Sequence, residues 1–188
     1  MSDRDTEELR YRRFLNGDME SFEQLVIEYK DALIYFISRY VKDMAAAEDL
    51  AQDTFVEVLV HKERYNFKTS FKTYLFTIGR NKAVDYIRKY ERVSLVEEYP
   101  DMASDEKLLE ERIVKEEEKR ELYEALGGLK WEYQRVLYLI DLEDLPYAQA
   151  AEIMDKSESQ IKILIFRARK ALRKELEKRS AKGAAKGR

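Results

Sequence analysis

The sequence predicts an all-α protein: two small helical domains joined by a flexible acidic linker, the C-terminal one a helix-turn-helix. Three observations predict this. Helix breakers are scarce, with 2 Pro and 6 Gly in 188 residues, and the Val, Ile and Thr runs that favour strands are few. Apolar residues recur at helical spacing in both halves of the chain. Residues 146–174, PYAQAAEIMDKSESQIKILIFRARKALRK, read as a short apolar helix, a tight turn and a capped second helix.

Taken in order, a first helix covers Thr6 to Leu15 and ends at Asn16-Gly17. Asp18 caps a long second helix whose stripe is Phe22, Leu25, Val26, Tyr29, Leu33, Phe36, Ile37 and Tyr40. Asp43 caps a third, from Met44 to His61, with Ala47, Leu50, Ala51, Thr54, Phe55, Val58 and Leu59 as its apolar side. Its other face carries Glu48, Asp49, Gln52, Asp53 and Glu57. Periodicity alone makes that face solvated surface first and a docking surface for a basic partner second. The loop 62–70, KERYNFKTS, leads to Ser70, the cap of a fourth helix. Phe71, Tyr74, Leu75 and Ile78 form that helix's core side, and Lys72, Arg80, Lys82, Arg88 and Lys89 decorate the rest. Aromatic rings beside cations suit single-stranded nucleic acid, because bases stack while cations hold the backbone. For Tyr74, Phe76 and Tyr86 taken singly, packing is the simpler reading.

Residues 93–118 form the linker, acidic and interrupted by Pro100. Leu122, Ala125, Leu126 and Leu129 begin a second apolar pattern, broken at Gly127-Gly128 and resumed from Trp131 to Leu142. Asp144-Leu145-Pro146 is a turn in which Pro opens the next helix. That helix carries Tyr147, Ala150, Ala151, Ile153 and Met154, and stops at Asp155-Lys156. Ser157 caps the following helix, and Gln160 completes a capping box. The domains expected are thus 1–92 and 119–178, with a disordered basic tail at 179–188.

Charge is segregated along the chain: net −6 over 1–67, +5 over 68–92, −6 over 93–121, −5 over 122–155 and +9 over 156–188. Two basic segments favour a polyanion; the acidic ones repel it. In the second of them, Ser157, Glu158, Ser159, Gln160 and Lys162 are polar groups able to reach base edges. Arg167, Arg169 and Lys170 suit phosphates.

Other classes find little support. Cysteine is absent, which leaves no disulfide and no thiolate metal site. The single His, His61, reads as a surface residue. Nucleotide-binding, zinc-protease and serine-nucleophile motifs are missing. No enzyme activity, cofactor or metal is therefore expected. The charged N-terminus does not resemble a signal peptide, and no apolar run approaches the roughly 20 residues of a membrane span. A cytoplasmic protein without direct membrane insertion fits these features.

Three stretches, AEDLAQDTF (47–55), SFKTYLFTIGRNKAVDYIRK (70–89) and LPYAQAAEIMDKSESQIKILIFRARKAL (145–172), resemble in order and spacing the extracytoplasmic-function (ECF) group of the main bacterial RNA polymerase sigma family. The resemblance covers about residues 14–92 and 119–176. It implies an alternative sigma factor that binds core RNA polymerase, directs it to promoters and assists melting at the −10 element. Glu48, Asp49, Gln52, Asp53 and Glu57 would meet the clamp helices of the largest subunit. Tyr65, Asn66, Phe67, Lys68, Thr69 and Ser70, with Lys72, Arg80, Asn81 and Lys82 behind them, would read the −10 element and receive a flipped base. The helix from Ser157 to Lys170 would read the −35 element, and its domain would touch the flap of the other large subunit. The linker would lie in the RNA-exit path.

The chain departs from the family pattern in places. Asp155 and Lys156 stand where Gly and an apolar residue are usual, and Asp tolerates the left-handed turn. Leu164 and Phe166 replace frequent Arg and His, which makes the recognition helix more apolar and suggests a contact with an anti-sigma factor. Two readings outside the family stay open on the residues alone: a helix-turn-helix regulator acting alone or as a dimer, and a helical adaptor.

Overall fold

The computed structural model describes residues 3–41, 43–93 and 117–186; most of the expected linker lies outside them. Among the described residues all regular structure is helical. The chain divides into two compact units, Met1–Met102 and Ala103–Arg188.

The first unit is a bundle of α1 (Asp3–Leu15), α2 (Met19–Ser38), α3 (Met44–Val60) and α4 (Phe71–Val93). Its boundaries follow local chemistry. Gly17 takes φ +98°, a left-handed value that releases the chain from α1. Asp18 accepts from the Ser21 N–H at 3.3 Å and Asp43 from the Ala45 N–H at 3.0 Å, which caps α2 and α3 as expected. Ser70 caps α4, accepting from the Thr73 N–H at 3.2 Å.

The α2 stripe buries Phe22, Leu25, Tyr29, Leu33, Phe36 and Ile37. Ile34 and Tyr35 are buried too, because α3 and α4 both pack on α2 and widen its covered face. On α4 the buried side runs through Phe71, Leu75, Phe76 and Ala83. Phe76 is therefore core, while Tyr74 and Ile78 are half-buried at the margin. At Gly79 an added Cβ would stand 2.9 Å from Leu33 Cδ1 and 3.3 Å from Ile37 Cδ1. A glycine is what lets α4 lie this close to α2.

The second unit comprises α5 (Glu117–Gly127), α6 (Trp131–Leu137), a π turn (Tyr138–Leu142), α7 (Tyr147–Met154) and α8 (Glu158–Lys186). Buried Gln134 donates to Leu129 O at 2.8 Å and Gly127 O at 3.3 Å, fastening the turn between α5 and α6. Pro146 stands at the cap position of α7 with φ −57° and ψ 148°, so the chain enters this helix from a preset extended conformation. The core joins Leu126, Val136, Leu137, Ile153, Ile161, Ile165 and Ala168.

One boundary differs from expectation. In place of a disordered tail from 179, α8 continues to Lys186. Arg179 is part of the fold, bonded to the Glu124 carboxylate at 3.1 Å and its backbone carbonyl at 2.9 Å. The three Ala and two Lys between 181 and 186 favour continuation of the helix, against the single Gly183.

Candidate functional site

The turn between α7 and α8 is built by three short-range choices. Asp155 closes α7 at φ 54° and ψ 51°, the left-handed conformation expected of it. Ser157 Oγ accepts from the Gln160 N–H at 3.2 Å, and the Ser157 N–H donates to Gln160 Oε1 at 2.8 Å. This reciprocal box sets the start of α8. Ile161, Ile165 and Ala168 then turn into the core, which leaves Ser159, Lys162, Arg167 and Lys170 exposed. Lys162 pairs with Glu158 at 2.7 Å. Arg169 is not free for a phosphate: its guanidinium holds the Asp141 carboxylate through two bonds of 2.5 and 3.1 Å. That pairing raises the Arg169 pKa further. Sequence reading did not foresee this bond, because its partners lie 28 residues apart.

In the first unit, Asp49, Gln52 and Asp53 are exposed on α3, opposite buried Ala47, Ala51 and Val58. Glu48 and Glu57 flank them half-buried. Two residues on the same outward stripe were missed: Val56, 54% exposed, and Val60, 66% exposed. Their seven- and eleven-residue spacing from Asp49 was the available signal. Glu57 faces α4, where Lys82 Nζ lies 2.8 Å away; Arg64 stands at 3.8 Å. The Lys82 contact holds the Glu57 carboxyl below its ordinary pKa. A residue expected at polymerase and one expected at DNA are thus bonded to each other.

The loop 65–70 is a packed structure. Tyr65 is buried, and its hydroxyl donates to Thr69 O at 2.7 Å. Its ring sits against Tyr11, Phe67, Phe71 and Tyr74. Buried this way, the Tyr65 ring supports the loop and offers no open face to a base. Asn66 is exposed and accepts from the Lys68 N–H at 3.1 Å. Phe67 adopts φ 60°, a strained value for a bulky residue. The Arg12 guanidinium lies 4.3 Å over its ring. From α1, the Tyr11 hydroxyl also donates to Lys62 O at 2.9 Å.

Helix α1 therefore anchors the loop, a role that its sequence, RYRRF at 10–14, signalled only as a cluster of rings and cations. Ser70 is buried as the cap, and Thr69 and Lys72 are half-buried. Arg80 bonds to exposed Asn81 at 3.0 Å. Arg80 and Lys82 stand about 200° apart around the helix, so α4 does not gather its polar groups on one face.

Among the described residues no group of three or more His, Cys, Asp or Glu side chains is placed to hold a metal, and no helix is long and apolar enough to cross a membrane.

Comparison with known proteins gives two family matches. Residues 25–93 match Sigma-70 region 2, and residues 119–172 match Sigma-70, region 4. The ECF RNA polymerase sigma factor SigW of Bacillus subtilis (strain 168) is 27% identical over 177 residues, covering 89% of this chain and 95% of that protein. SigM of the same strain, another ECF RNA polymerase sigma factor, is 29% identical over 157 residues, covering 81% and 93%. Among solved structures, the sigma factor RpoE of Bartonella quintana, in complex with the anti-sigma factor NepR, superposes with a TM-score of 0.64 at 24% identity, over 84% of this chain and 98% of that one. At that identity the likeness is one of fold.

Proposed function

We infer that this chain, which belongs to the sigma-70 family and to its extracytoplasmic-function group, is an alternative sigma factor. It binds core RNA polymerase, directs it to promoters and assists opening of the −10 region. It is an initiation factor, not an enzyme; nucleotide addition belongs to the polymerase. The observation that carries this reading is the paired match in chain order: a region 2 bundle, then a region 4 helix-turn-helix.

On that basis the exposed α3 stripe of Asp49, Gln52 and Asp53 docks on polymerase, with Val56 and Val60 adding apolar contact. Asn66, Phe67 and Lys68 face the melted −10 strand, and Lys72, Arg80 and Asn81 serve its phosphates; Lys82, on the other side of α4, is held by Glu57. Tyr65 and Ser70 hold the loop that presents these groups. Ser159, Gln160, Lys162, Arg167 and Lys170 of α8 face the −35 duplex, with Ser157 fixing the helix start. The functional division is 1–92 for polymerase and −10 contact and 119–178 for −35 contact, with 93–118 joining them. An anti-sigma factor is a further partner, as it is for the RpoE neighbour, and the chain acts in the cytoplasm.

The test is run-off transcription by purified core polymerase on a promoter library, with and without this chain. New start sites are expected only when it is present. Reversal of Asp49 and Asp53 to Lys should weaken polymerase association and reduce those transcripts together. Unchanged initiation on every template would defeat the assignment, and undiminished polymerase affinity in the reversed variant would defeat the docking surface.

A further inference from the structure

The outward line of α8 carries an anomaly for a cationic helix. Ile163 is 54% exposed and Phe166 is 70% exposed. They share one stripe with Ser159 and Lys170, since spacings of four, seven and eleven return to the same side of a helix. This stripe lies opposite the buried Ile161, Ile165 and Ala168. Arg167, Lys170 and Arg173 stand exposed around the two apolar side chains.

Two occupants suit an exposed apolar pair, a protein surface or an apolar group on DNA. A stable protein interface takes roughly 800 Å² from each partner, far more than two side chains supply. The surrounding cations favour a polyanion. Within the major groove, the apolar feature of a base edge is the thymine C5-methyl, and Phe and other apolar side chains contact it.

We propose that Ile163 and Phe166 determine specificity at the −35 contact by reading thymine through its C5-methyl group. This rests on the assignment of α8 to the −35 duplex. Side-chain hydrogen bonds from Ser159 and Gln160 sit one turn nearer the helix start, so the apolar pair reads bases beyond their reach. Its preferred element contains thymine, on either strand, where Ile163 and Phe166 meet the groove.

The test uses polymerase holoenzyme assembled with this chain on a promoter it initiates from. Each −35 thymine is replaced singly by deoxyuridine, which deletes the methyl and keeps every hydrogen-bonding group. At one or two positions, binding in competition should fall about fourfold, the worth of one buried methyl-sized group. In Ile163→Ala/Phe166→Ala the two templates should bind alike. Both side chains face solvent, so the double variant should melt as the parent does. Equal binding of thymine and uracil at every position by the unaltered protein would overturn the proposal while initiation still upholds the sigma assignment. Discrimination that survives the double substitution would also overturn it. Loss of core-polymerase association in the variant, with no thymine preference in the parent, would make the pair a protein contact instead. Failure to initiate anywhere would remove the assignment and the proposal together.

Discussion

Glu7 of α1 is buried, with one carboxylate oxygen accepting from the Tyr29 hydroxyl and the other without a hydrogen bond. Burial raises its pKa above the ordinary 4.5, against the pull of the Tyr29 hydroxyl and the Lys72 charge. A raised value means that the folded state holds the proton more tightly than the unfolded chain. The stabilisation is complete below pH 4.5 and is lost as pH rises through the folded value. Glu7→Gln should therefore flatten the fall in melting temperature as pH rises above the ordinary carboxyl value of 4.5. Melts with the same slope as the parent would rule the mechanism out. Glu57 runs the opposite way, because Lys82 lowers its pKa; its contribution is present above the ordinary value and fades as pH falls. A second single-residue effect concerns Arg169. Asp141→Asn should free its guanidinium and let the chain bind a short DNA duplex more tightly, with the log–log salt slope steeper by about 0.9 for one added phosphate contact. Glu152→Gln removes the same charge from an exposed position on α7 without touching Arg169, so in anisotropy titrations it should steepen the slope less. Equal slopes for the two variants would show that Arg169 gains nothing from release.

Helix α8 depends on the turn before it, and the turn depends on two residues. Ser157→Ala removes the cap and should cost about 1 kcal/mol. Asp155→Val forces a β-branched residue into the left-handed region at a cost of about 1–2 kcal/mol, whereas Asp155→Gly should be neutral or better. The chain's one Trp, Trp131, lies on α6 of this unit, so urea denaturation followed by its fluorescence reads the effect locally. A glycine variant no more stable than the valine one would show that the turn geometry is not limiting. The Ser157 cap was legible in the sequence because both of its bonds, to and from Gln160, span three residues. Most of the α2 and α3 stripes was legible for the same reason, since one helix repeat determines which side chains share a face; Leu59, expected on the apolar side of α3, is instead 37% exposed. What sequence hid were bonds between elements, such as Glu57 to Lys82 and Arg169 to Asp141. Their partners are separated by a turn whose angle no local pattern states. The burial of Tyr65 was hidden likewise. A ring beside cations looks alike in sequence whether it faces a base or four other rings, and it is α1 and α4 that close around this one.

Across the whole chain, the distribution of charge matters more than its sum. A net charge of −3 gives the free protein no long-range attraction to DNA. The +5 and +9 segments are each followed or preceded by acidic stretches of −5 or −6, and several cations are already held by carboxylates on the protein itself. Lys82 is taken by Glu57, Arg169 by Asp141 and Lys162 by Glu158. Each phosphate contact by those groups must first replace an internal pair, so little counterion-release energy is gained. The free chain should therefore bind promoter duplex no better than scrambled duplex at physiological salt, with dissociation constants on the order of 10⁻⁴ to 10⁻⁶ M. Bound to core polymerase, the same chain should discriminate strongly, because under the docking proposed above the polymerase would occupy the acidic α3 face and hold both basic segments near one DNA molecule. That second contact then forms at high effective concentration instead of by an independent encounter. Anisotropy titrations at two salt concentrations, on matched and scrambled duplexes, measure the first half; competition binding by the holoenzyme measures the second. Tight, sequence-specific binding by the chain alone would mean that α8 needs no help from polymerase, and the dependence on the α3 contact would have to be abandoned.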